Sequence, residues 1–137
     1  MTIWTQEFET GHPQIDAEHR EFIRQLNEIR AAIDAGAGRE LIVRLIILLQ
    51  SYALAHFARE EAHMHRVGCP THRKNCEAHG EFSEKLAGWL VLLSYSGTSV
   101  TLMAEVHRES LAWIESHIKT VDCGLRRCPR DPKPPGA

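Results

Sequence analysis

No apolar run in this sequence approaches the ~20 residues that a bilayer span needs; the densest, Leu41 to Leu49, is interrupted by Arg44. A membrane role is therefore not expected. Residues Met1 to Gly11 lack a basic patch followed by an apolar stretch, so no secretory leader is expected and the cytoplasm is the expected compartment. The net charge is -2 and no basic cluster lies in the body of the chain, which leaves nucleic acid without a binding surface. Cysteines are few: Cys69, Cys76, Cys123 and Cys128 are too sparse for a disulfide scaffold. The C-x4-C spacing of the last two fits no usual zinc pattern. Free thiols are expected, with a reversible disulfide between the tail and Cys69 as the lesser alternative. Internal repeats and alternating strand patterns are also missing.

What is present is helical periodicity. A chain of 137 residues is one domain by length, able to bury a core without cross-links. Residues 1 to 15 read as an irregular arm anchored by Trp4 and Phe8, with a turn at Gly11-His12-Pro13 and Asp16 as the N-cap of the first helix. Phe22, Leu26, Ile29 and Ile33 follow at helical spacing until Gly36 and Gly38 stop them. A second helix runs from about Arg39 to Arg66, with Leu45, Leu49, Tyr52 and His56 on one stripe. Beyond Gly68 and Pro70, His79, Phe82, Leu86 and Leu93 share a face. Ser94 to Ser99 reads as a loop. Val106, Trp113, Ile114, His117 and Val121 mark the fourth helix. Gly124 to Ala137 holds four prolines and four basic residues against one acid, the composition of a disordered tail. The expected fold is all-α: an antiparallel up-down four-helix bundle over residues 1–123, with an irregular N-terminal arm and a flexible C-terminal tail over 124–137.

Each of the four expected helices turns one histidine inward: His19, His56, His79 and His117. Two carboxylates accompany them, Glu60 four residues after His56 and Asp122 five after His117. A single inward histidine is ordinarily a satisfied core residue, and an i, i+4 His–Glu pair is common on surfaces. Four such histidines from four helices, with two acids, are not explained that way, because burying them unpaired costs several kcal/mol. A metal among them resolves the cost. Zinc is content with four ligands, whereas imidazoles with bridging carboxylates in a bundle core suit a pair of irons. The ferritin-like diiron bundles carry Glu-x-x-His on each of two helices, which this chain lacks.

The chain resembles the hemerythrin family, specifically its single-domain bacterial members. The stretches that carry the resemblance are Ile15-Asp16-Ala17-Glu18-His19, His56-Phe57-x-x-Glu60-Glu61, Gly68-x-Pro70, His79-x-x-Phe82 and Trp113-Ile114-x-x-His117-Ile118 with Asp122; Trp4 and Gly11 also fit. The resemblance implies two non-haem iron ions with an oxo or hydroxo bridge and reversible dioxygen binding, for storage, delivery or sensing, without catalytic turnover. It implies that His19 and His56 hold one iron. His79, His117 and a further histidine would hold the other, with Glu60 and Asp122 bridging and Ile114 and Trp113 walling the oxygen pocket. Sensing would act through a protein partner, since no signalling domain is attached.

One position departs from the family pattern. Where the third helix should carry His-x-x-x-His, the first place is Asn75. Its amide oxygen or a water is the first expectation for the vacant ligand, the Cys76 thiolate the second, and His72 the third. His72 lies about two turns, ~10 Å, from His79 along a regular helix. The altered set implies one weakly held iron. It also keeps two alternatives open: a redox diiron protein acting on peroxide or nitric oxide, and an iron-binding bundle that has lost reversible oxygen binding. His12, His63, His65 and His107 read as solvated residues, with an adventitious surface metal site of His63, His65 and Cys69 as a complication.

Overall fold

The computed structural model describes residues 2–95 and 100–120; Asp122, Cys123, Cys128 and the whole 124–137 tail lie outside them. A single 3-10 turn at Gln6–Phe8 precedes four helices: α1 (Pro13–Asp34), α2 (Arg39–Arg66), α3 (His72–Tyr95) and α4 (Val100–Thr120). Each helix packs on its chain neighbour and α1 closes the square against α4. Short connections force neighbours antiparallel, so the expected four-helix bundle is the observed one.

Turn chemistry places the helix ends. α1 starts four residues earlier than expected, with Pro13 in its first turn, where its missing N–H costs nothing. Asp16 is therefore not the N-cap. It lies inside α1, buried, and one of its carboxylate oxygens accepts from both the amide and the hydroxyl of Thr10 at 2.8 Å, tying the arm to the helix. Gly36 and Gly68 close α1 and α2 in the same way. Each has positive φ, 70° and 67°. Each is followed by a backbone bond reaching five residues back, Ala37 to Ala32 at 3.0 Å and Cys69 to Met64 at 2.8 Å. That pattern is the Schellman stop, where a side chain at the left-handed position would be strained.

The arm is seated on α1 and α4. Trp4 stacks near Phe8 with ring centroids 5.4 Å apart, the Arg20 guanidinium lies over Trp4, and the Lys119 ammonium lies over Phe8. Inside the square, Leu26, Ile46, Leu49, Leu86 and Leu93 lose all or nearly all exposure, each contributing roughly 1.5–3 kcal/mol by burial.

Three expectations need correction. His107 is buried rather than solvated, with the Leu26 backbone as a hydrogen-bond partner; a single imidazole at the edge of a stripe gives no pattern to read. Cys69 is disulfide-bonded rather than free, its partner lying outside the described residues, while Cys76 is free. Disulfide formation depends on Cα separation and Cβ direction, which spacing alone does not give. Finally, α2 is long and apolar enough, by length and composition, to cross a membrane. Arg44 interrupts the apolar run without lowering the average hydropathy of the helix much.

Candidate metal centre

Helical spacing brings the site together at one level of the bundle. His19 comes from α1, His56 and Glu60 from successive turns of α2, His79 from α3 and His117 from α4. All five are buried, Glu60 to 1% exposure. Glu60 sits between two histidine pairs. Its Oε2 lies 3.3 Å from His19 Nε2 and 3.1 Å from His56 Nε2, and its Oε1 lies 3.4 Å from His79 Nε2. Two groups result, His19 with His56 and Glu60, and Glu60 with His79 and His117, each with ligand atoms within 4.8 Å of one another. Asp122 lies outside the described residues.

This geometry fits a cation. His19 Nε2 and His56 Nε2 approach to 3.1 Å while both face the same carboxylate oxygen. A neutral imidazole has one N–H. The His56 Nδ1 faces Glu18 Oε1 at 3.4 Å, so a proton held there leaves the Nε2 lone pair facing the Glu60 oxygen. Lone pairs in such a cluster repel unless positive charge lies among them. Imidazole and carboxylate donors suit iron, with zinc and copper as competitors.

His56 and His79 each have a carboxylate behind the ring, and sequence reasoning passed over both. Glu18 on α1 faces His56 on α2; Glu61 on α2 faces His79 Nδ1 on α3 at 3.4 Å. Each acid is the chain neighbour of a ligand, rotated about 100° around its helix and so aimed at the next helix in the square. That adjacency was the available signal. Glu18 is pinned by Arg59, whose Nε donates to Oε1 at 3.1 Å and whose Nη2 lies 2.7 Å from Oε2. Burial pushes its carboxyl up, but hydrogen bonds and charge from His56 and Arg59 prevail and hold it at about 2. Glu61 faces Cys76. Burial, then the Glu61 carboxylate, pushes that thiol up to about 11.

The departure at Asn75 has a structural context. Asn75 is fully buried, its amide nitrogen donating to Glu60 Oε1 and lying 3.0 Å from Met64 Sδ. Among the described residues its Oδ1 has no hydrogen-bond partner. Met64 is also fully buried. Cys76 Sγ lies 3.4 Å from His72 Nε2, and the His72 ring in turn neighbours His65. Neither Cys76 nor His72 belongs to either ligand group among the described residues.

A void of about 10 Å³ borders the centre, lined by His19, Phe22, His56, Phe57, Trp113, Ile114, His117 and Ile118. That is the space of a single water-sized molecule, with apolar groups for most of its wall. Trp113 and Ile114 were expected there; Phe22, Phe57 and Ile118 complete it. Ring packing differs around the site. His79 stacks on Phe57 at 3.9 Å and His117 on Trp113 at 4.4 Å, both within 10° of parallel. Phe22 instead meets His56 edge-on at 90°.

The chain is similar to known proteins. The family model for the hemerythrin HHE cation binding domain matches residues 10–125. A bacteriohemerythrin of Pseudomonas aeruginosa is 28% identical over 124 residues, covering 89% of this chain and 77% of that protein. A bacteriohemerythrin of Stenotrophomonas maltophilia is 25% identical over 122 residues with the same coverage. The matched stretch holds all four inward histidines and both carboxylates, and the chain belongs to the hemerythrin family.

Proposed function

We propose that the chain binds dioxygen reversibly at two non-haem irons, without catalytic turnover, and serves oxygen storage, delivery or sensing. The observation that carries the reading is the placement of Glu60, with one oxygen facing the His19–His56 pair and the other 3.4 Å from His79. His19 and His56 would hold one ion, His79 and His117 the other, and Glu60 one by each oxygen. Asp122 is assigned as the second shared carboxylate on the family resemblance. Bound ferrous iron supplies the electrons that dioxygen binding draws on. Glu18 and Glu61 orient His56 and His79 and raise their basicity. Ile114, Phe22, Phe57 and Ile118 keep bulk water from the void and so slow oxidation of a reduced site.

The second iron has an altered ligand set, with Asn75 in place of a histidine and its N–H committed to Glu60. That substitution favours a second reading, in which the place of the missing histidine would be open to water or small anions and the protein would act on peroxide or nitric oxide. The test is iron per chain after iron-supplemented expression, followed by visible spectra through cycles of air and reductant. Two irons and a reproducible, reversible oxygen-dependent band support carriage. Two irons with rapid bleaching and peroxide consumption favour the second reading. Helices intact without iron would overturn both.

A further inference from the structure

The outer surface of α2 and α3 is built for a partner that the single chain lacks. Only 33% of the most apolar window of α2 is buried within the molecule. Its outward positions include Leu41 and Leu48, one heptad apart, and Ile47 and Leu54, again one heptad apart, all between 46% and 55% exposed. No charged residue occurs between Leu45 and Ala58. On α3, Val91 and Tyr95 stand four residues apart and are 54% and 85% exposed. The two surfaces adjoin, because the Arg39 guanidinium at the start of α2 donates to the Leu93 carbonyl near the end of α3.

Half-exposed side chains of this size add up to an apolar patch on the order of 600 Å². Ordinary monomers expose about 300–600 Å² in their largest patch, and a stable interface buries about 800 Å² per partner, apolar at its centre and polar at its rim. The face carries both signs at one end, Arg44 lying between Leu41 and Leu48 on one stripe. Glu40 and Arg44, one helical turn apart and both exposed, enter none of the ion pairs among the described residues. A two-fold interface places each group of one copy against the same patch of the other, so a face with both signs is self-complementary. An anionic lipid surface would instead select a cationic rim.

We infer that this face joins two copies of the chain in a two-fold dimer, α2 and α3 of one packed on α2 and α3 of the other. Leu48 is the central contact, and the metal ligands, on the opposite side of α2, remain within each copy.

The test is the mass of the full-length, iron-loaded chain by light scattering on a sizing column, across a dilution series. The expected mass is twice the 15.5 kDa of one chain, falling to that of one chain in Leu48→Glu with iron content and helicity retained. Val91→Glu, on the other helix, gives the same result by a second route should Leu48→Glu fail to fold. A monomer at every concentration would overturn the inference. So would a dimer that both variants leave intact, since its contact would lie elsewhere. A monomer that co-sediments with phosphatidylcholine–phosphatidylglycerol vesicles would also overturn it, and would assign the face to lipid.

Discussion

The two ligand groups share Glu60 and differ in what surrounds it. Around His19 and His56 the packing is edge-on, the ring nitrogens approach to 3.1 Å, and the supporting Glu18 is clamped by a two-toothed Arg59 contact. Around His79 and His117 the rings lie flat on Phe57 and Trp113. The supporting Glu61 is half-exposed and faces a neutral thiol, and the neutral Asn75 amide donates to the shared Glu60. One half is fixed by charge; the other is fixed by aromatic contact.

Glu60→Ala strikes both halves and gives the largest effect: near-complete loss of iron by elemental analysis, with helicity retained. Iron content at the wild-type level would remove Glu60 from the centre. His117→Ala should empty only the weaker half, and unchanged iron content would sink that assignment. Asn75→His should sharpen the comparison in the other direction. It should raise occupancy of the His79–His117 half and slow bleaching in air; equal occupancy in variant and parent would show that Asn75 does not limit the site. Charge-neutral Glu18→Gln and Glu61→Gln should each weaken metal binding about 10–100-fold. The larger loss is expected for Glu18, because its contacts are the tighter set. Equal losses in competition with a chelator would erase the distinction between clamped and loose support.

The smallest effect belongs to neither half. Burial, then the charge of Arg30, holds the His107 imidazole below its ordinary 6.5. As pH falls below 6.5 the unfolded chain takes up this proton first, so stability is fully present above 6.5 and declines toward the lower folded value. In metal-free protein, His107→Gln should flatten that part of a urea-midpoint profile; an unchanged slope would place the proton uptake elsewhere.

The four helices and the convergence of His19, His56, Glu60, His79 and His117 were legible because 3.6-residue periodicity and i, i+4 spacing are local properties of the chain. What failed to show depends on neighbours in space. Asp16 reads as a cap because Asp precedes the apolar stripe, yet Thr10 claims its carboxylate. Glu18 and Glu61 carry no role in the sequence pattern, because their partners lie on the next helix. The burial of His107 and the pairing of Cys69 likewise depend on how elements meet. The substitution at Asn75 was visible at once, but its second neighbour, Met64, was not: eleven residues separate them in the chain and 3.0 Å in the fold.

The stack of Trp113 on His117 gives the molecule an internal optical reporter. The indole lies 4.4 Å from a histidine assigned to the weaker half and 4.2 Å from Phe82 on its other side. Trp4 sits on the arm and Trp89 along α3, so replacing these two with phenylalanine leaves one emitter beside the centre. Open-shell iron quenches an indole in direct contact with its ligand. Emission from Trp113 would then follow the filling and emptying of that one position in real time, without a label and without disturbing the other half.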